Sequence, residues 1–183
     1  MKSSILTMLA VLLFPSLHAS TCSELFMDPQ NNIAMGLEML NTGENTKAAQ
    51  FFKDRLANEE KACKREDKIG PYEILYVAVA DYRGGNFVEA KEYLLKMFAV
   101  RDKFYSYDYT NVGYACLIAT KTNDVELFKT GLSFVNPKFS WGEKENKEFA
   151  KSCLNNAINH MKLDGPTKQM AAEKLAIISE LSK

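Results

Sequence analysis

Two helical runs joined by a pair of glycines constrain this chain more than any other feature of its sequence. From Tyr72 onward, apolar residues recur three and four positions apart, which places them on one face of an α-helix. Gly84 and Gly85 end this run, because glycine leaves a helix and adopts positive φ at little cost. A second helical run continues to Val100. Since two helices of this length cannot bury their own apolar faces, the pair needs similar neighbours.

The same arrangement recurs along the chain. Apolar helical runs flank a turn at Gly43 and another at Asn123, which lie 42 residues before and 38 residues after Gly85. A fourth pair is predicted around residues 164–166. Helix pairs at a regular period are typical of solenoids. We therefore expect an all-α fold, a right-handed α-solenoid of three to four helix-turn-helix repeats, that forms a single domain over residues 21–183.

At these residues the chain resembles the tetratricopeptide repeat (TPR), over residues 28–136 and less closely over residues 143–181. The chain has a longer period than the family's ~34 residues, and no tryptophan stands near the start of a first helix. Asp81 and Phe128 occupy positions where tyrosine and alanine are usual. The small or apolar residues that match are Gly36, Ala48 and Phe52 in the first unit and Ala78, Ala90 and Leu94 in the second.

The TPR resemblance implies a protein or peptide ligand on the concave face, which the first helix of each pair lines. Tyrosine suits such recognition because it offers a large apolar area and a hydroxyl at low entropic cost. The alternative is that the tyrosines fill space between helices. Carried over position by position, the groove residues are Tyr72, Leu75, Val79, Tyr82 and Arg83 in the central pair, Gln30, Ile33, Leu37 and Asn41 in the first, and Thr110, Leu117 and Lys121 in the third.

Residues 1–20 are predicted to be a signal peptide. Lys2 provides the positive end, and residues 5–14 form an apolar stretch that is short for a membrane span. The sequence is compatible with cleavage at Ala19 or at Ser20. The alternatives are an anchored N-terminal helix and lipidation of Cys22. The sequence has no Asn-x-Ser/Thr glycosylation site, which favours export to a bacterial periplasm over secretion.

The charge of the chain argues against nucleic acid as a partner. Lysine and arginine together number 23, as do aspartate and glutamate, so no basic excess is present to displace counterions. After residue 20, no apolar run is long enough to cross a bilayer. The expected partner is a protein or peptide, and the sequence carries no signal for an oligomeric state.

Four cysteines in an exported chain predict disulfide bonds. Cys22 precedes the first helix and Cys63 lies at the far end of the second, so an antiparallel pair brings them together and predicts a Cys22–Cys63 bond. Cys116 and Cys153 lie on first helices of successive pairs, which are neighbours in a solenoid. The sequence is compatible with a Cys116–Cys153 bond and equally with two small buried thiols.

Residues that carry catalysis or hold cofactors are scarce. His160 is the only histidine after the signal, and with Cys153 on the same helix face it makes too few ligands for a metal. The sequence has no Cys-x-x-Cys, glycine-rich phosphate loop or nucleophile elbow. We expect no cofactor and a non-enzymatic interaction module, an adaptor, scaffold or inhibitor in the cell envelope. A carrier or sensor of a small amphipathic ligand is the alternative, and a glycan hydrolase using Glu143, Glu145 and Glu148 is a third hypothesis.

Overall fold

The computed structural model describes residues 32–62, 71–101, 109–135 and 144–181. All regular secondary structure within these ranges is helical, with no strand, so the expectation of an all-α fold is confirmed. The predicted signal peptide, Gln30, Cys22 and Cys63 lie outside the described residues. The helices are α1 (Ile33–Asn41), α2 (Asn45–Ala62), α3 (Pro71–Arg83), α4 (Phe87–Arg101), α5 (Tyr109–Thr122), α6 (Val125–Ser133), α7 (Lys144–His160) and α8 (Gly165–Leu181).

Three of the turns between these helices share one backbone geometry. Gly43 (φ +81°), Gly85 (φ +85°) and Asn123 (φ +51°) adopt the left-handed region just after the first helix of a pair. Glycine reaches this region without a steric penalty, and asparagine tolerates it better than most residues. Since these residues also mark the repeat in the sequence, the pairs α1–α2, α3–α4 and α5–α6 end their first helices in the same way.

The backbone hydrogen bonds of these turns repeat as well. In each turn, the residue after the left-handed one donates its N–H to a carbonyl five positions earlier, as in a Schellman motif. The chain reverses within three residues, which makes the two helices of each pair antiparallel. The bonds join Glu44 N to Met39 O (2.8 Å), Asn86 N to Asp81 O (2.8 Å) and Asp124 N to Ala119 O (2.9 Å).

The turn between α7 and α8 is built differently. The side-chain carboxylate of Asp164 accepts a hydrogen bond from the Thr167 N–H at 2.7 Å. The backbone carbonyl of Asp164 accepts one from the Lys168 N–H at 3.0 Å. Asp164 therefore caps the start of α8. The last helix begins at Gly165, directly after this residue.

The helices pack chiefly against their neighbours in the chain. α3 contacts α2, α4 and, more lightly, α5, whereas α5 contacts α4, α6 and α7. α8 lies against α7 and touches α6. The apolar core is one cluster that extends through all four pairs. In the described part of the chain, no helix combines the length and apolar character needed to cross a membrane.

Large side chains fill the space between helices, and small ones set how closely the helices approach. Phe52, Leu94 and Phe128 are completely buried. Gly36 in α1 lies directly against Phe52 in α2, so close that a Cβ atom would overlap the ring. Dense packing of this kind makes a core sensitive to added volume as well as to lost volume.

An ion pair joins α2 to α3 within this core. Lys53 Nζ lies 2.9 Å from one carboxylate oxygen of Asp81 and donates to the other at 3.1 Å. Asn86 Nδ2 also donates to Asp81, at 3.4 Å. The Asp81 side chain is fully buried, whereas Lys53 keeps about a quarter of its surface exposed. Asp81 thus has a structural partner across the contact between α2 and α3.

Candidate functional site

Aromatic side chains form a row across the first helices of three successive pairs. Tyr82 in α3 and Tyr114 in α5 have ring centroids 6.2 Å apart and meet edge to face. Tyr114 and Phe149 in α7 meet in the same manner at 5.2 Å. All three residues are half-buried, so each ring retains free surface. We call Tyr82, Tyr114 and Phe149 the aromatic row.

Neighbouring small and aromatic residues hold the row in place. Gly113 precedes Tyr114, and the Phe149 ring occupies the space that a Cβ atom at Gly113 would need. Tyr82 also packs against Phe87 at the start of α4, with ring centroids 5.7 Å apart. Edge-to-face pairs contribute about 0.5–1.5 kcal/mol beyond the area that they bury. The row is therefore stabilised from within the protein as well as being partly open to a partner.

The hydroxyl of Tyr82 is protonated at neutral pH, since the usual pKa of tyrosine is about 10. Desolvation, followed by the neighbouring Cys153 and Tyr114, raises the pKa of Tyr82 above its usual value. At neutral pH this hydroxyl can therefore donate a hydrogen bond as well as accept one.

Three exposed polar residues recur at one position of successive first helices. Asn41, Arg83 and Lys121 stand at the same position of α1, α3 and α5, two residues before the left-handed residue of each turn, and all three are exposed. Arg83 Nη1 donates to the carbonyl of Leu40 in α1 at 3.4 Å. Arg83 thus contacts the preceding pair while its side chain stays open to solvent. We call Asn41, Arg83 and Lys121 the polar edge.

The predicted groove residues differ widely in exposure. Leu75 and Val79 are buried in the core, at 3% and 6% exposure, which leaves them little surface for a partner to contact. The cause is that α3 is covered by α2, α4 and α5 and so has a narrow free face. The side chain of Tyr72 lies outside the described part of the chain. The half-buried groove residues are Ile33, Leu37, Tyr82, Thr110 and Leu117, and the exposed ones are Asn41, Arg83 and Lys121.

Sequence reasoning overlooked Tyr114 and Phe149. Tyr114 lies nine residues before Asn123, just as Tyr76 lies nine residues before Gly85, so the repeat alignment contained a signal for it. No comparable signal marks Phe149, because the turn after α7 does not repeat the geometry of the turns at Gly43, Gly85 and Asn123. Its place in the row follows from the packing of α5 against α7.

Cys116 and Cys153 are buried free thiols in the structure. Of the two alternatives that the sequence left open, the structure therefore contains two buried thiols with no bond between them. Desolvation raises the pKa of Cys153 to about 11. Desolvation, with a smaller contribution from Cys153, raises the pKa of Cys116 as well. Both sulfurs are protonated at neutral pH.

A buried ion pair lies near the end of α2. Arg55 Nε and Glu59 Oε1 are 2.9 Å apart, and both side chains are almost completely buried. The pKa of Glu59 is raised, mainly by desolvation and also by Glu73, although Arg55 acts in the opposite direction. The pair places two charged groups in the packing between α2 and α3.

The other titratable groups that the sequence singled out have exposed side chains where they are described. Glu145, Glu148 and His160 are exposed, and Glu143 lies outside the described residues. Among the residues that the structure describes, no three histidine, cysteine, aspartate or glutamate side chains group closely enough to hold a metal ion. The candidate site is thus made of the aromatic row and the polar edge.

Comparisons with protein families, with curated proteins and with solved structures give no match for this chain.

Proposed function

We propose that this chain is an exported, non-enzymatic interaction module that holds a protein or peptide against the first helices of a right-handed, TPR-like solenoid. The observation that carries the proposal is the aromatic row, which crosses three helix pairs in succession. A ligand lying along this row contacts three repeats at once. In this proposal the chain is an adaptor, scaffold or inhibitor in the cell envelope, and the ligand is the target that it holds.

The chemistry of the surface supports a protein ligand. Aromatic residues and arginine are enriched where proteins bind one another, because they contribute large contact areas with directed polar groups. The row supplies the aromatic area, and Arg83 and Lys121 supply exposed cations beside it. The repeated turns at Gly43, Gly85 and Asn123 support a solenoid, since they give three pairs the same local geometry.

Site-specific photo-crosslinking tests the proposed binding surface. A photoreactive phenylalanine analogue replaces Lys121 on the polar edge. In a matched variant it replaces Val88, which is exposed on α4, the second helix of its pair. We expect a discrete protein adduct in envelope extracts from position 121 and none from position 88. Equal labelling from both positions, or no adduct at position 121, would contradict the proposal.

Charge reversal then tests whether the captured protein binds through the polar edge. The variant Arg83→Glu/Lys121→Glu loses the 3.4 Å hydrogen bond from Arg83 to Leu40 O but no buried side chain, so circular dichroism should still show the helical spectrum of the original chain. Binding of the purified partner, measured by calorimetry, should weaken at least tenfold, whereas Lys168→Glu on α8 should leave it unchanged. Equal affinity of all three proteins would exclude this surface.

Export is tested separately. After expression in a bacterium, intact mass spectrometry of the periplasmic fraction should show a chain that has lost the predicted signal peptide, with its new N-terminus next to Ala19 or Ser20. A chain that keeps Met1 to Ser20 and stays in the cytoplasm would refute export while leaving the binding surface to be judged by crosslinking.

A further inference from the structure

Two buried thiols lie on helices that pack against each other, Cys116 on α5 and Cys153 on α7, and Cys153 contributes to the raised pKa of Cys116. Cys116 and Cys153 are buried, at 0% and 5% exposure. The Phe149 ring of α7 lies against Gly113 of α5, and the cysteines follow these residues by one helical turn on each helix. If α5 and α7 run in the same direction, both cysteines lie one turn beyond this contact and therefore at the same level.

Contacts elsewhere show that α5 and α7 do run in the same direction. Lys129 in α6 interacts with Asp164 at the start of α8, and Val135, beyond the end of α6, accepts a hydrogen bond from Lys174, further along α8, at 2.8 Å. α6 and α8 are therefore parallel. Because α5 is antiparallel to α6, and Lys147 near the start of α7 donates to Leu181 O at the end of α8, α5 and α7 are parallel too.

Buried small residues recur at intervals of three or four positions on both helices. Such side chains let helix backbones approach closely, whereas larger ones hold the axes farther apart. A disulfide requires this closeness, since its two Cα atoms are usually about 4.4–6.8 Å apart. The buried small residues are Gly113, Cys116 and Ala119 in α5 and Ala150, Cys153 and Ala157 in α7.

We propose that Cys116 and Cys153 form a disulfide bond that joins α5 to α7 when the chain folds in the presence of a disulfide oxidant. The structure contains the reduced form of the pair. In the reaction, the two S–H bonds break and one S–S bond forms. Two electrons and two protons pass to the disulfide of the oxidant, which becomes two thiols. The proposal does not depend on what the aromatic row binds.

Burial determines when the bond forms. Thiol–disulfide exchange requires a thiolate that an oxidant can reach. In the folded, reduced chain both sulfurs are buried and protonated. The bond therefore closes while α5 and α7 are still open to solvent, during folding, and oxidation of the reduced folded protein is slow.

The test uses residues 21–183 with Cys22→Ser and Cys63→Ser, so that only the proposed pair remains. The denatured protein is refolded with a mixture of reduced and oxidised glutathione. We expect a product lighter by two hydrogen atoms, no thiol reacting with Ellman's reagent in denaturant, and a peptide linking Cys116 to Cys153. The melting temperature should fall by roughly 10 °C when the bond is reduced, since the bond closes a loop of intermediate length.

A matched control carries the further change Cys153→Ala, and its melting temperature should not depend on reducing agent. Two free thiols, or glutathione adducts on both cysteines, in a refolded helical product would overturn the proposal. Should the two-serine background fail to fold, peptide mapping of the chain with all four cysteines decides the matter. There, a bond from Cys116 to Cys22 or Cys63, or both Cys116 and Cys153 recovered as thiols, would overturn it.

Discussion

At the scale of single residues, glycines serve two separate purposes in this protein. Gly43 and Gly85 adopt positive φ, and nothing lies within 4 Å of the place where a Cβ atom would stand. Gly113 and Gly131 lie inside helices and allow a neighbouring helix to come close. The first purpose is visible in the sequence as a break in helical periodicity, whereas the second becomes visible only once the neighbouring helix is placed.

Gly131→Ala should destabilise the contact between α5 and α6. A Cβ atom at this position would lie 2.6 Å from the Cβ of Ala115, which cannot rotate away because it is fixed to the backbone. We expect a loss of about 1–3 kcal/mol in the free energy of unfolding, measured by urea denaturation. Gly165→Ala is the control, since its Cβ would meet nothing within 4 Å. A Gly131→Ala protein as stable as this control would contradict the close contact.

The reduced protein should lose stability as pH rises from about 9 to about 11. Burial raises the pKa of Cys116, Cys153, Tyr82 and Tyr109, in the case of Cys153 from 9.0 to about 11. A group with a raised pKa in the folded state supports folding below its unfolded pKa, and this support is lost as pH passes through the folded pKa. For Cys153 the loss is about 2–3 kcal/mol.

Urea denaturation at a series of pH values, in the presence of reducing agent, measures this loss. Cys153→Ala should flatten the decline in stability between pH 9 and pH 11, whatever its effect at neutral pH. A decline of unchanged steepness in that variant would show that Cys153 has no part in it.

At the scale of helices, ion pairs join elements that are far apart in the sequence. The Lys53–Asp81 ion pair joins α2 to α3, and Lys91 forms an ion pair with Asp124 between α4 and the turn before α6. Each partner is more than 25 residues away in the sequence. No local pattern links such residues, so the helix packing had to be known before their partners could be.

Asp81→Ala should lower the free energy of unfolding by about 2–3 kcal/mol, because it removes a fully buried carboxylate and leaves Lys53 and Asn86 without their acceptor. Urea denaturation provides the measurement. Glu148→Gln, which breaks an exposed ion pair with Lys151 on α7, should change stability by less than about 0.5 kcal/mol. Equal effects of the two changes would mean that the Lys53–Asp81 pair contributes nothing beyond a surface contact.

At the scale of the whole molecule, the helices differ in how many neighbours cover them. α5 is packed against α4, α6 and α7, whereas α1 contacts α2 at one end and α8 is held mainly by α7 at the other. Stability in proteins built of successive pairs depends on contacts between neighbours, so an end element has less support than a central one.

Hydrogen exchange followed by mass spectrometry should therefore find the slowest amides in α5 and the fastest helical amides in α1 and α8. The interior of α7 serves as an internal reference, since it contacts both α5 and α8. Lys147→Ala should speed exchange in the last turn of α8 because it removes the hydrogen bond to Leu181 O, whereas Lys168→Ala should not. Exchange in α1 as slow as in α5 would contradict this order.

Much of the helical architecture was predictable from local sequence, and the candidate site was predictable only in part. The runs around Gly85 correspond to α3 and α4, and the pair predicted around residues 164–166 corresponds to α7 and α8. Of the predicted groove, Tyr82 belongs to the aromatic row and Arg83 to the polar edge, but Leu75 is buried. A position in a repeat specifies a helix face, and how much of that face is free depends on the helices packed around it.

The sequence by itself determined where helices begin, end and reverse, because periodicity and left-handed residues such as Gly43, Gly85 and Asn123 act within a few positions of the chain. Only the tertiary structure decided that Tyr82, Tyr114 and Phe149 form one row. These contacts join helices separated by dozens of residues, and they depend on the distance and direction at which whole helices pack, which no local pattern encodes.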